Sequence, residues 1–182
     1  MQDWFKKVSL IFISLVLSLV FASAISAKPT PTPSAVPSTQ INSFEFFWPL
    51  ASGKTQGESL YGLKRLKENM RGWLIFSPIK KADYLAFLAT KRVLEAEKLA
   101  KDQKPELAKE ALNQAARDIE NSDKNLVKSI STGEQGGPAR SSLAEKLNKL
   151  ETFLKWYQET EVGLSVEIQN LLEKVMAEAG KL

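Results

Sequence analysis

Three short stretches of this sequence carry residues that could do chemistry. Ser77-Pro78-Ile79-Lys80 has the Ser-x-x-Lys spacing of penicillin-recognising enzymes. Those enzymes also need a large mixed domain and two further motifs, which are missing here, and Ser77 has a sufficient role as a helix cap. Gly53-Lys54-Thr55 has the ending of a phosphate-binding loop, but the earlier glycine of that motif would fall at Trp48 and no strand leads into it. Glu95, Glu97, Glu106, Glu110, Asp118 and Glu120 sit among lysines at helical spacings. That is the pattern of a solvated, ion-paired face, whereas a paired-carboxylate hydrolase needs two such groups facing a cleft.

The chain of 182 residues contains no cysteine and no histidine. Disulfides, thiol nucleophiles, imidazole bases, His-ligated zinc and ordinary haem attachment are excluded together, as is a lipid-modified N-terminal cysteine. No catalytic residue, cofactor or metal site is expected, and the chain reads as a non-enzyme. Between Lys54 and Lys81, however, seven basic residues face two acidic ones, Glu58 and Glu68, while the rest of the chain is nearly balanced. Lys64, Arg65, Lys67, Arg71, Lys80 and Lys81 are the candidate contacts of this segment with an anionic surface, either lipid headgroups or wall polymer. Its alternative role is a solvated helix face close to a membrane.

The elements that would position these side chains can be read from punctuation and period. Lys6 and Lys7 precede an apolar run from Val8 to Ala22, and Ala22-Ser23-Ala24 supplies the small residues of a signal-peptidase site. Residues 1–27 are expected to be a signal peptide or, uncleaved, a membrane anchor with its lysines retained inside. Export to the cell envelope follows, membrane-anchored or secreted, and with it an argument against nucleic-acid partners. Residues 28–43 form a Pro/Thr-rich linker, a composition that cannot bury a core.

Residues 44–182 are expected to form one all-α domain, an antiparallel bundle of three to four helices. Leu63, Leu66, Met70 and Trp73 recur at spacings of three and four and predict a first helix over about residues 60–76, its stripe turned to the core. Ser77-Pro78 starts a second over 78–101 with a seam of Ala82, Ala86, Ala89, Val93, Ala96 and Ala100. Pro105 starts a third over 105–130 with Ala108, Leu112, Ala115, Ile119 and Leu126. At 1.5 Å per residue these two match at about 36 and 39 Å and should pair as a hairpin.

After a Gly-rich loop, Ser141 or Ser142 should cap a fourth helix over 142–179. Leu143, Leu147, Leu150, Leu154, Tyr157, Glu161, Leu164, Ile168, Leu171 and Val175 give it a heptad seam interrupted only by Glu161. Such a helix would run about 57 Å and outreach its partners. Either it bends near Gly163 or its end self-associates or meets a protein partner.

Three blocks then carry a family likeness: Leu60-Tyr61-Gly62-Leu63-Lys64-Arg65-Leu66-Lys67-Glu68, Ser77-Pro78-Ile79-Lys80-Lys81-Ala82, and Lys91-Arg92-Val93-Leu94-Glu95-Ala96. With this spacing the chain resembles the bacterial domain-of-unknown-function family 5667 over about residues 44–128. Relatives commonly carry a Pro-Gly turn before the Leu-Tyr pair, where this chain has Ala51 to Glu58. The resemblance implies a helical domain just outside a membrane segment or signal peptide, and no activity. The expected function is an envelope helical module for protein or envelope contacts. The alternatives are an anionic lipid or wall-polymer binder acting through residues 54–81, and an outer sensory or regulatory domain on an uncleaved anchor.

Overall fold

A serine-proline step and a second proline set the central hairpin. In the computed structural model, which describes residues 41–134 and 136–182, Ser77 caps a helix whose first residue is Pro78, its side chain accepting from the backbone N–H of Lys80. The described residues form six α-helices, a short 3-10 turn and no strand. These are α1 (Ser43–Phe46), α2 (Tyr61–Trp73), α3 (Pro78–Lys101), α4 (Pro105–Ser131), α5 (Gly137–Thr160) and α6 (Ser165–Ala179), with the turn at Val162–Leu164. None of them is long and apolar enough to cross a membrane. The expected signal or anchor segment 1–27, and the linker up to residue 40, lie outside the described residues.

Helices α3 and α4 pack on each other along the small-residue seam. Ala82, Ala86, Ala89, Val93, Ala96 and Leu99 are buried against Ala108, Leu112, Ala115, Ile119 and Leu126. Methyl-sized side chains allow close approach: Ser122 of α4 reaches across to donate to the Ala82 carbonyl at 2.8 Å. At the turn between them Gln103 takes a left-handed conformation and Lys104 N donates to the Leu99 carbonyl, closing α3.

The expected single helix over 142–179 is corrected to two. α5 begins at Gly137, with Gly136 left-handed before it and Pro138 in its first turn, instead of at Ser141 or Ser142. Gly136 has to be a glycine, since a Cβ there would lie 2.5 Å from Ile79 Cγ2. At the other end α5 stops at Glu161, the one polar residue of the heptad seam, and the chain turns back through Val162–Leu164 into α6. Burying that carboxylate in a continuous seam would be costly. Turning there leaves it half-buried at the bend and lets both halves of the seam bury on α3 and α4. The two helices run antiparallel: Gln158 donates to Gln169 beside the turn, and Arg140 near the start of α5 donates to the Lys181 carbonyl just past the end of α6. The surplus length that suggested self-association is therefore absent, because Leu143, Leu147, Leu150, Leu154, Leu164, Ile168, Leu171 and Val175 are all buried in this bundle.

Of the aromatic patch preceding α2, Phe47 is buried and meets Phe153 of α5 edge-on at 5.3 Å, while Phe44 and Trp48 stay exposed.

Candidate functional site

Helix α2 lies on the bundle the other way round from its expected orientation. Leu63, Leu66, Met70 and Trp73, the stripe expected to face the core, are between 55% and 81% exposed, and Leu74, next along the same face, is 65% exposed. At 100° per residue these five fall on one side of the helix and Lys64 and Glu68 on the other. The polar side is the docked one: Glu68 is 7% exposed.

The physical reason lies in α3. Arg92 is fully buried, and a buried guanidinium has to be met by carboxylates. Glu95, one turn on, accepts from Arg92 Nη1 at 3.0 Å, and Glu68 of α2 takes Nη2. Glu68 also accepts from Lys91 at 2.7 Å, and Glu95 from Lys64 at 3.2 Å. The backbone around α2 joins in. Lys64 Nζ donates to the carbonyls of Ser52 and Lys54, Gln56 N donates to Glu95, and the Tyr84 hydroxyl donates to the Glu68 carbonyl. Burial alone would raise the Glu68 carboxyl, but Lys91 and Arg92 outweigh it and hold the group below the usual carboxylate range. Burial draws the Lys64 ammonium down from its ordinary value, with the Glu95 carboxylate opposing.

Two of the expected solvated carboxylates are thus buried ion partners: Glu95 is fully enclosed, and Glu97 is buried beside Lys101, from which it accepts at 2.7 Å. Asp118 is half-buried, and that burial pushes its carboxyl up to about 6. Charged residues at helical spacing look the same in sequence whether they face water or one another. The distinguishing signal was Glu68 standing opposite the apolar stripe of its own helix, together with the Arg92–Glu95 pair on a helix otherwise lined with alanine.

The sequence candidates divide. Lys64, Lys67 and Arg71 line a groove of about 380 Å³ between α2 and α3, with Tyr84, Phe87 and Lys91 across from them. Arg71 stacks over the Tyr84 ring at 5.3 Å and continues into a second recess of about 360 Å³ that Lys80 and Lys146 share. Arg65 lies on the opposite flank of α2, half-buried and near enough to Asp118 to act on its charge. Lys81 lines neither groove. Lys91 and Lys146 belong to the basic surface and were missed, because counting charge along one segment cannot see residues contributed by α3 and α5.

Within this surface Lys64 and Lys91 are neutralised by carboxylates, whereas Lys67, Arg71 and Lys80 make no ion pair among the described residues. Ser77 is occupied structurally: besides capping α3, its hydroxyl donates to Glu134 at 2.5 Å. Gly53 and Lys54 sit in the loop beside the groove, where the Lys54 carbonyl is bound by Lys64.

A family model described as "Domain of unknown function (DUF5667)" matches residues 53–178. The match takes in α5 and nearly all of α6, which the resemblance over residues 44–128 left out, and it omits α1. No curated protein and no solved structure matches the chain.

Proposed function

Since the chain belongs to the domain-of-unknown-function family DUF5667, whose description names no activity, we propose from the geometry that it is a non-enzymatic contact module of the cell envelope. It works by laying the outward ridge of α2 on another surface. One observation carries this reading: α2 is docked through its charged side, which leaves Leu63, Leu66, Met70 and Trp73 turned to solvent. Fully burying such a side chain is worth about 1.5–3 kcal/mol, so covering four of them would drive a specific association. The basic leader and small-residue cleavage pattern of residues 1–27 support the envelope location, and N-terminal sequencing of the mature protein distinguishes a secreted form from an anchored one.

The test is site-specific photo-crosslinking in the host cell. A photoreactive amino acid replacing Leu66 in the full chain should give a covalent adduct, and one replacing exposed Glu173 on α6 should give none. Equal labelling at both positions, or none at either, would remove the basis for treating the ridge as a working surface.

A further inference from the structure

Resting on that reading, we infer that the surface met by the α2 ridge is an anionic lipid bilayer, with the ridge entering the headgroup boundary and Lys67, Arg71 and Lys80 holding lipid phosphates. The shape of the feature argues for this occupant first. Among the helices α2 packs chiefly on α3 and turns its apolar side to solvent, so those side chains form a convex ridge and not a groove that would receive a partner helix. A convex amphipathic helix with leucines and a tryptophan on one side and lysine and arginine on its flanks matches the geometry of an interfacial helix, which sinks its apolar face roughly 5–10 Å below the phosphates. Trp73, the most exposed of the ridge residues on α2 itself, is the residue type that favours this boundary.

Charge argues for it second. Lys67 and Arg71 follow the ridge along the side that opens into the α2–α3 groove, and Lys80 sits in the adjoining recess. None of the three is neutralised by a carboxylate of the described residues, while Lys64, Lys91 and Arg92 beside them are all paired. Cations left free next to an apolar ridge fit an anionic surface. They disfavour a second copy of this chain, because pairing two ridges about a two-fold axis would set Lys67 and Arg71 of one copy against their counterparts in the other. Each lysine or arginine close to an anionic leaflet contributes roughly a fivefold gain in binding, and the gain falls with salt.

Because the chain has no cysteine, one can be introduced alone. The full chain carrying Met70→Cys, labelled with an environment-sensitive fluorophore, is reconstituted with vesicles of phosphatidylglycerol and phosphatidylcholine or of phosphatidylcholine only. The apolar leader can partition into any bilayer, so the readout is the surroundings of residue 70 and not whether protein and vesicle associate. The label should blue-shift in the anionic vesicles and much less in the neutral ones. Lys67→Glu combined with Arg71→Glu and Lys80→Glu should weaken that response by about 100-fold in lipid, with the circular dichroism spectrum unchanged. A label at Glu173→Cys should stay in water throughout.

A Met70 label that stays in water with anionic vesicles overturns the inference, as does an equal response to both lipids. Burial of the label without lipid also overturns it, since a second copy or another part of this chain would then cover the ridge. If the Leu66 photo-crosslink is to a protein while the vesicle assay is silent, the contact reading stands and the lipid assignment falls. If both are silent, both fall.

Discussion

Replacing Glu178 by glutamine should remove a pH dependence that this side chain builds into the bundle. Glu178 of α6 is fully buried against α4, and Ser122 Oγ lies 2.5 Å from its Oε1 and 2.8 Å from the Ala82 carbonyl. Ser122 has one proton. That proton is contested by the carbonyl and the carboxylate, and Glu178 Oε2 has no partner among the described residues, so an ionised Glu178 is left poorly satisfied. Burial accordingly pushes the group up from 4.5 to about 7, with the neighbouring Asp123 raising it and Ser122 and Lys181 opposing. An acid whose folded pKa is raised binds its proton more tightly in the folded state, so its contribution is complete below about 4.5 and is lost as pH rises through about 7. At about 1.36 kcal/mol per pH unit, the shift from 4.5 to about 7 amounts to about 3 kcal/mol.

Asp118, raised to about 6, adds a slope of the same sign below that pH, which leaves the interval from pH 6 to 8 to Glu178. Glu68, held low, loses its contribution only in more acidic solution. Glu178→Gln keeps a donor toward Ser122. Urea unfolding followed at 222 nm should show wild type and variant within about 1 kcal/mol at pH 5. At pH 8 the variant should be the more stable by about 3 kcal/mol, or roughly 10 °C in Tm for a domain of this size. Parallel pH profiles for the two proteins would refute the protonated-carboxyl account.

Two further substitutions test how the elements are held. Arg92→Ala leaves Glu68 and Glu95 buried without their shared cation and should cost about 3–5 kcal/mol by chemical denaturation. Arg92→Met combined with Glu68→Gln and Glu95→Gln should recover most of that, and a triple variant as unstable as Arg92→Ala would show that the charges are not the cause. Gly136→Ala forces a Cβ toward Ile79 in a left-handed backbone position and should lower stability by about 1–3 kcal/mol, an effect read from the urea midpoint. Adding Ile79→Ala should relieve the steric share, which a double-mutant cycle would measure.

The central hairpin was legible residue by residue. Ser77, Pro78 and Pro105 announce helix starts by their own conformational limits, and the alanine seam has a single sensible use, so the predicted range 78–101 is the observed range of α3. Two other readings went wrong for different reasons. The heptad seam of residues 143–175 is legible residue by residue and the chain does break at the expected bend near Gly163, but periodicity along a chain is silent about the full reversal of direction that Glu161 and Gly163 bring. In α2 the period was again right and the face was reversed. Apolar stripes normally face the core because water is the alternative, and that rule lost to the need of Arg92 for carboxylates. All three proposed cationic contacts, Lys67, Arg71 and Lys80, are visible as a charge excess in the sequence, whereas the arrangement of Lys67 and Arg71 along the edge of an exposed ridge depends on that reversal.

The two hairpins also make the ends of the bundle unequal. The starts of α3 and α5 and the finishes of α4 and α6 gather at one pole, where Glu134 meets Ser77 and Arg140 meets the last two carbonyls of the chain. The opposite pole holds the bends at 102–104 and 161–164, with Ser43 and Phe44 of the α1 segment lying beside Lys98 and Lys101 at the end of α3. A fluorescent protein or affinity handle fused after Leu182 would crowd the pole at which α2 joins α3. A handle carried in either far bend would leave that pole clear, and each bend joins neighbours in sequence, so the hairpins can form from local contacts before they meet.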